Sequence, residues 1–370
     1  ALMSTNPLIR LGQLGQSPWY DYITRDLIAS GTLARLIQDD GLQGMTSNPT
    51  IFEKAIAGSA DYDADISRLA AEGRSPGDIF EGLAVQDVRA ACDAFRPVYD
   101  RTGGADGLVS LEVSPELAND TPGTIAEAAR LWAAVDRPNA MIKIPGTREG
   151  LAAIEASLAA GISINITLLF SVARYEQVIE AFLKGLERRA AQGQPVDRIN
   201  SVASFFVSRV DGRVDPLLDK AGDPQKLRGT IAIANAGMAY QAFERSRSTP
   251  RWTALEKAGA RPQRPLWAST STKDPRYPDV YYIEALVAAD TVNTIPPDTF
   301  GAYRDHGQPE PRIAQAIATA PARLAALAAM GIDLEEVTRF LEQDGVAKFA
   351  ASYRQLLAGI DAKATTLVGK

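Results

Sequence analysis

One unit recurs along the chain: a short apolar strand, a loop punctuated by polar residues or Gly, and then a helix. Strands that alternate with helices pair in parallel, so eight such units predict a closed (β/α)8 barrel, the TIM barrel. The first two predicted strands have a low β propensity. They are predicted because the other six strands establish the alternating pattern. The predicted strands lie at about 18–22, 43–47, 107–113, 139–145, 162–168, 201–207, 265–270 and 290–295. Helical periodicity fills the intervals, for example over 125–135, 149–159, 172–191 and 227–245.

Three stretches hold more chain than one crossover helix needs, and they lie at about 53–105, 209–264 and 296–370. The last is predicted to be helical after Pro296-Pro297, with breaks near Gly331 and Gly345. No Ser-, Gly- or Pro-rich linker separates two cores. We therefore expect residues 1–370 to form a single barrel domain with additional helices, notably at the C-terminus. A discrete C-terminal helical domain is the alternative.

The scarce residue types exclude several kinds of site. The 370 residues include one His, one Cys and ten Lys. This excludes a zinc finger, a His-rich zincin site, an iron–sulfur centre and a disulfide framework. The lone His306 lies in a loop flanked by Gly and Pro and is expected to be solvated. No G-x-G occurs, so a Rossmann fingerprint is absent. We expect no metal and no other cofactor, and chemistry by carboxylates, Arg, hydroxyls and lysines.

The formal net charge of −6 provides no basic field that would attract nucleic acid. No stretch approaches the 18 to 20 apolar residues that cross a bilayer, and no basic-then-apolar segment opens the chain. The single Cys92 fits a reducing compartment. We expect a cytoplasmic monomer or homodimer without nucleic-acid or membrane partners.

The fifth predicted strand has a polar face. Ser163, Asn165 and Thr167 alternate with Ile and Leu. In a barrel the alternate residues of each strand point inward, and the site lies at the carboxyl ends of the strands. The polar face therefore indicates a binding site. A buried hydrogen-bond network that satisfies only itself is the alternative.

Lys143 is the one lysine embedded in an apolar strand, in the run Ala140 to Pro145. Burial disfavours the ammonium form, and a neutral amine attacks a carbonyl to form a Schiff base. Glu112 ends the neighbouring strand and could shuttle protons to water during imine formation. The alternative is a buried structural ion pair between Lys143 and Glu112.

Two further polar residues end the first two strands. Asp21 lies among aromatic residues that would desolvate its carboxylate and raise its pKa, as a general acid and base requires. Asn48 precedes Pro49, which favours extended geometry and leaves its amide for substrate hydroxyls. The alternatives are a cap or turn Asp and a plain turn at Asn48.

Anion-binding candidates follow the sixth and seventh strands. Arg209 comes just after the sixth, and the loop from Ser269 to Lys273 follows the seventh. Phosphate sites in such barrels favour the loops after the last strands. Hydroxyls, backbone N–H groups and Lys273 would suit a phosphate there.

Five blocks of sequence occur in an order and spacing shared with a known family. They are Thr46-Ser47-Asn48-Pro49-Thr50, Ser110-Leu111-Glu112-Val113, Ile142 to Thr147 (IKIPGT), Gly161 to Ser171 (GISINITLLFS) and Ser204 to Arg209 (SFFVSR). They resemble the transaldolases, a (β/α)8 family of class I aldolase type, over about residues 17–300. The length resembles that of the long bacterial subgroup.

The resemblance implies transfer of a dihydroxyacetone unit between sugar phosphates in the pentose phosphate pathway. Sedoheptulose 7-phosphate and glyceraldehyde 3-phosphate would give erythrose 4-phosphate and fructose 6-phosphate. The implied catalytic residues are the Schiff-base nucleophile Lys143, the proton carrier Asp21, and Glu112 with Thr167 on a catalytic water. The residues implied to bind the hydroxyls, line the pocket and bind phosphate are Asn48, Asn165, Ser204, Phe206 and Arg209.

One block departs from the family's pattern. Many transaldolases carry an Arg after the seventh strand in an A-S-F-R context, and here Lys273 lies two positions further on. Lys supplies charge without a bidentate fork, so phosphate affinity is expected to differ. The alternatives are a fructose 6-phosphate aldolase that releases free dihydroxyacetone and a non-catalytic sugar-phosphate-binding barrel. Glu112, where those aldolases typically have Gln, favours transfer.

Overall fold

Eight parallel strands close into a barrel in chain order in the computed structural model, which describes residues 6–369. All eight predicted strands are confirmed, each within two residues of its predicted ends. The strands are β1 Gln16–Asp21, β2 Gly44–Thr46, β3 Leu108–Glu112, β4 Ala140–Pro145, β5 Ile164–Leu169, β6 Ser201–Phe206, β7 Arg264–Ala268 and β8 Thr291–Ile295. The (β/α)8 expectation is therefore correct.

Helices surround the barrel, and the three stretches predicted to hold additional helices, which follow β2, β6 and β8, each contain three of them. The first half of the chain contains α1 Pro7–Gln13, α2 Arg25–Ala29, α3 Thr32–Asp40, α4 Pro49–Ala57, α5 Asp63–Ala71, α6 Pro76–Arg101, α7 Thr121–Val135 and α8 Arg148–Ala159. The second half contains α9 Val172–Ala191, α10 Ser208–Lys220, α11 Ile231–Arg247, α12 Pro250–Lys257, α13 Tyr281–Ala285, α14 Pro297–His306, α15 Ile313–Ala329 and α16 Leu334–Val368. A 3-10 helix covers Pro115–Leu117. Within residues 6–369 no single helix is long and apolar enough to cross a membrane. One pair of helices in this range, α15 and α16, is long and apolar enough when the two are taken together, but they are bent by 94° relative to each other.

Local sequence signals begin many of these helices. The side chains of Asn48, Ser75 and Asp120 each accept a hydrogen bond from a backbone N–H in the first turn. Each is followed within two residues by a Pro, which fits the first turn because its missing N–H has no partner there. The cap at Asn48 begins α4 immediately after β2. It thereby fixes the backbone next to the barrel mouth.

The strand register sets which side chains are neighbours in the barrel wall. Glu112 on β3 pairs with Lys143 on β4, and Lys143 pairs with Asn165 on β5. Every residue of β3 to β6 is buried. The three polar residues therefore form one row near the carboxyl ends of adjacent strands, which is where sites form in this fold.

The alternation predicted for β5 ends at a β-bulge. The register with β6 shifts between Ile166 and Leu169, and Leu168 has a φ of +61°. A left-handed conformation is costly for a residue with a Cβ and occurs where surrounding structure enforces it. Bulges re-aim side chains. Here the Leu168 side chain lies against α16: a Cβ added at Gly345 would be only 2.9 Å from Leu168 Cδ2.

The C-terminal helix α16 runs unbroken through Gly345, so the predicted break there is wrong. Gly345 instead gives room for Leu168. The predicted break near Gly331 is correct, since α15 ends at Ala329 and α16 begins at Leu334. The helix is attached on both sides of the mouth: Glu342 pairs with Arg174 of α9, and Ser352 bonds Thr50 of α4 at 2.8 Å. It therefore crosses the carboxyl end of the barrel.

Candidate active site

A cavity of about 150 Å³ lies at the carboxyl ends of the strands. It contains eight of the eleven predicted site residues, and the other three lie in the adjoining barrel wall. The cavity is lined by Asp21, Thr46, Asn48, Lys143, Ser204, Phe206, Arg209, Ala268, Ser269, Ser271, Lys273, Thr294, Pro296 and Phe349. The predicted residues in the wall are Glu112, Asn165 and Thr167.

Lys143 is the buried amine of this cavity, with only 4% of its surface exposed. Its Nζ donates a hydrogen bond to the carbonyl oxygen of Ser47 at 3.2 Å. Within residues 6–369 no ion pair joins it to Glu112, although the two residues are register partners. The interpretation as a structural ion pair is therefore wrong. The Lys143 side chain lines the cavity, and its Nζ has a single backbone acceptor among the described residues.

Glu112 is buried without a hydrogen bond from any described residue to either carboxylate oxygen. Burial raises its pKa to about 7, the nearby negative charge of Asp21 contributes, and the Lys143 ammonium opposes the shift. The hydroxyl of Thr167 is also buried and lacks a partner among the described residues. Both polar groups remain available to a small polar molecule next to Lys143.

Asp21 ends β1 and is held by a hydroxyl chain. The Thr46 hydroxyl donates to Asp21 Oδ1 at 2.8 Å. Thr294 therefore donates to Thr46, whose oxygen lies 2.5 Å away. Burial raises the pKa of Asp21, while Lys143, the Thr46 hydrogen bond and Arg209 oppose the shift. A carboxylate of this kind exchanges a proton closer to neutral pH than an ordinary Asp does.

The predicted polar face of β5 forms a hydrogen-bonded row across three strands. Ser204 donates to Asn165 Oδ1 at 2.7 Å, and Asn165 Nδ2 donates to Ser110 at 3.0 Å. The alternative of a self-satisfied network is thus partly realised at Asn165. Ser204 nevertheless lines the cavity, so the row sets the position of its hydroxyl.

Asn48 is partly buried, caps α4 and also lines the cavity. Its Oδ1 accepts from the N–H of Ile51 at 2.9 Å and caps α4. Its amide nitrogen donates to no described residue, and Asn48 lines the cavity. The cap therefore orients an amide donor toward the site.

The opposite side of the cavity is cationic. Arg209 lies 5.1 Å from the ring centroid of Phe206, and neither Arg209 nor Lys273 has an ion-pair or hydrogen-bond partner among residues 6–369. Burial lowers the pKa of Arg209, with Asp344 and Asp21 opposing the shift. Burial also lowers the pKa of Lys273, helped by the neighbouring positive charges of Arg209 and Lys348. The two cations are available to an anion.

Ser269 joins this cationic side to β7. Its φ of +54° lies in the left-handed region, and its hydroxyl lies 2.9 Å from that of Ser208. Its carbonyl accepts from the backbone of Ser208, also at 2.9 Å. Strain of this kind is kept where the structure fixes a loop next to a site.

A buried amine with carboxyl groups on one side and two cations on the other suits reaction of a carbonyl compound that carries an anionic group. The sequence matches the transaldolase/fructose-6-phosphate aldolase family over residues 18–360. The chain belongs to this family. The predicted family resemblance is therefore confirmed.

Relatives in this family align over nearly the whole chain. A transaldolase of Acidothermus cellulolyticus is 53% identical over 358 residues, which cover 96% of each chain. A transaldolase of Frankia alni is 50% identical, with 96% and 97% covered. One of Thiobacillus denitrificans is 47% identical, with 95% and 98% covered. The expectations of an enzyme, of a transferase and of the transaldolase function are confirmed.

Six residues that line the cavity of this family member were not predicted, and three of them, Thr46, Thr294 and Phe349, show why. Thr46 is the first residue of the block Thr46 to Thr50. Its hydrogen bond to Asp21 depends on the pairing of β1 with β2, which cannot be read from the sequence. Thr294 carries no local signal in β8. Phe349 lies in α16, more than fifty residues after the last strand, and lines the cavity only because α16 crosses the mouth. His306 is exposed and bonds Asp279 at 2.7 Å, away from the site.

Proposed function

We propose that the chain transfers a dihydroxyacetone unit between sugar phosphates through a Schiff base on Lys143. The observation that carries this proposal is the buried Lys143 amine, which lines the cavity and whose one hydrogen bond to a described residue goes to a backbone carbonyl. A protonated imine is an electron sink, so it stabilises the carbanion left when a carbon–carbon bond breaks. No metal is needed for that step.

Imine formation begins when Lys143 Nζ attacks the ketose carbonyl carbon. The carbonyl oxygen leaves as water, and a proton must be supplied to it. Glu112, whose pKa is raised to about 7, is both acid and base near neutral pH. Thr167 would position the same water through its hydroxyl, which has no hydrogen-bond partner within residues 6–369.

Bond cleavage needs a base at the hydroxyl next to the breaking bond. Asp21 would take that proton, the C3–C4 bond would break, and its electron pair would move into the imine to give an enamine. The aldose product leaves, and an acceptor aldehyde takes its place. The enamine carbon then attacks the aldehyde, and Asp21 returns the proton to the new hydroxyl.

The enamine must remain on Lys143 until an acceptor arrives. Asn48 and Ser204 would hold the hydroxyls of the three-carbon unit, with Asn165 positioning Ser204. Phe206 would form one wall. The substrate phosphate would bind at the cationic side, and its proposed ligands are Arg209, Ser269 and Lys273.

Borohydride reduction in the presence of fructose 6-phosphate tests the proposal. We expect a covalent three-carbon adduct on Lys143 by peptide mass mapping, none in Lys143→Ala, and the wild-type adduct in Lys184→Ala, where the exposed lysine is on α9. Failure to trap the adduct on the wild type would reject the Schiff-base mechanism. Release of free dihydroxyacetone without an acceptor, at the rate of transfer, would favour the aldolase alternative.

We infer that the described helices and barrel act as one domain, supported by the packing of α16 on α4, α5 and α10. A cytoplasmic location and a monomeric or homodimeric state stay predictions from the sequence.

A further inference from the structure

A second cavity of about 650 Å³ continues outward from the first, because Arg209 and Lys273 line both. Its outer wall is the first half of α16. That helix contributes Phe340, Leu341, Asp344 and Lys348. The anion side of the site is therefore bounded by residues that lie far beyond the barrel strands in sequence.

Helical spacing determines which residues of α16 face the two cavities. Residues three or four apart share one face of a helix, so Asp344, Gly345, Lys348 and Phe349 point to the same side. Phe349 lines the inner cavity. A Cβ at Gly345 would lie 3.7 Å from Arg209 Nη1, which places this turn of α16 directly over Arg209.

The charges on this face are unbalanced. Lys348 Nζ lies 2.8 Å from Asp344 Oδ2, and this carboxylate is also the acidic group of α16 that acts on Arg209. Lys273 has no ion-pair partner among residues 6–369. Three cations, Arg209, Lys273 and Lys348, thus lie near two carboxylates, Asp344 of α16 and Asp21 of the inner cavity. A phosphate monoester dianion would supply the missing negative charge.

The structure also holds α16 in place at this point. The guanidinium of Arg213, on α10, lies 3.9 Å from the centroid of the Phe340 ring. This contact joins α16 to the helix that carries Arg209. The helix therefore presents Lys348 from a fixed wall.

We propose that Lys348 binds the substrate phosphate together with Arg209 and Lys273, so that α16 is the outer wall of the phosphate site. The inference rests on the proposed function, which places the phosphate at this side. Asp344 then acts as an internal competitor: it holds Lys348 when no phosphate is bound and yields the lysine to the dianion. The bound ester would in turn tie α16 to the barrel.

Two acceptor substrates that differ only in their phosphate distinguish a phosphate ligand from a residue that affects turnover in general. Lys348→Ala should raise the KM for erythrose 4-phosphate about five- to tenfold, as expected for one charge-assisted contact. The KM for D-erythrose, which lacks the phosphate, should stay within about twofold. The inhibition constant of inorganic phosphate should rise with the first KM. Lys184→Ala is the matched control, since Lys184 also pairs with an acid four residues earlier.

Asp344→Asn gives a shift of opposite sign. Removal of the competing carboxylate should lower the inhibition constant of inorganic phosphate, whereas a merely structural ion pair predicts no such gain. Unchanged phosphate inhibition in Lys348→Ala, or equal KM changes for both acceptors, overturns the inference. Reduction with borohydride and dihydroxyacetone, which carries no phosphate, separates the two proposals: without an adduct on wild-type Lys143 the proposed function fails. With an adduct and unchanged phosphate inhibition, only the role of Lys348 fails.

Discussion

Glu112 and Lys143 are register partners on adjacent strands, yet the described chain contains no ion pair between them. Lys143 donates to the Ser47 carbonyl, and both oxygens of Glu112 lack a hydrogen-bond donor among the residues that the structure describes. A salt bridge would hold the lysine as an ammonium ion and the glutamate as a carboxylate. Their separation leaves Lys143 Nζ without a carboxylate partner among the described residues and the carboxyl group of Glu112 able to exchange a proton.

Glu112→Gln should stabilise the protein in a pH-dependent way. The pKa of Glu112 is about 7 in the folded protein against a reference of 4.5, so the folded state binds more protons between these values. Wild-type stability therefore falls as pH rises through this window, by up to about 3 kcal/mol. Gln stays neutral and avoids this loss.

Urea unfolding at pH 5 and pH 8 measures the effect. The Glu112→Gln variant should gain on the wild type at pH 8 and little at pH 5. The exposed Glu336→Gln is the control and should show the same difference at both pH values. An equal effect of Glu112→Gln at the two pH values would argue that the carboxyl group ionises as in the unfolded chain.

Asp21→Ala should slow bond cleavage by about 10²- to 10⁴-fold, the usual contribution of a positioned general base. Imine formation should persist, because Lys143 and Glu112 are unchanged. Single-turnover kinetics measure cleavage, and borohydride trapping of dihydroxyacetone on Lys143 is the internal control. Normal turnover in the variant would remove Asp21 from the mechanism.

Thr46→Val should move the pH profile of turnover. The Thr46 hydroxyl donates to Asp21 and lowers the pKa of that carboxyl group. Its loss should raise the pKa further, so the acidic limb of the kcat profile should shift to higher pH. Thr50→Val is the shape-matched control, since the Thr50 hydroxyl bonds Ser352 instead. An acidic limb that stays in place, or moves equally in both variants, contradicts the role of this hydrogen bond.

The sequence predicted the barrel well because its signals are local. Six of the strands are short, largely apolar runs bounded by polar or Gly residues, and the first two were inferred from the pattern of these six. The helix α9 was predicted at its observed bounds, Val172–Ala191. Eight of the site residues line the cavity because carboxyl ends of parallel strands meet at one mouth. Position in the strand was sufficient to place them there.

The features that escaped prediction depend on contacts between distant segments. The left-handed Leu168 has no local signal, since Leu rarely adopts that conformation. Gly345 was interpreted as a helix break because Gly weakens helices, but here it allows α16 to approach Leu168. Packing across the mouth decided both positions. The same packing brought Phe349 into the site.

Lys273→Ala should weaken binding of phosphorylated sugars selectively. Lys273 lines the cavity, lacks an ion-pair partner among the described residues, and lies beside Arg209, so a substrate phosphate would gain a charge-assisted hydrogen bond from it. The KM for fructose 6-phosphate should rise about tenfold, while that for free dihydroxyacetone should change little. Steady-state kinetics with both substrates measure the difference, and the exposed Lys257→Ala on α12 is the control.

Lys273→Arg should retain or improve phosphate binding, because a guanidinium offers a bidentate fork. Equal changes for the two substrates in Lys273→Ala would show that this lysine supports the loop after β7 and does not bind phosphate.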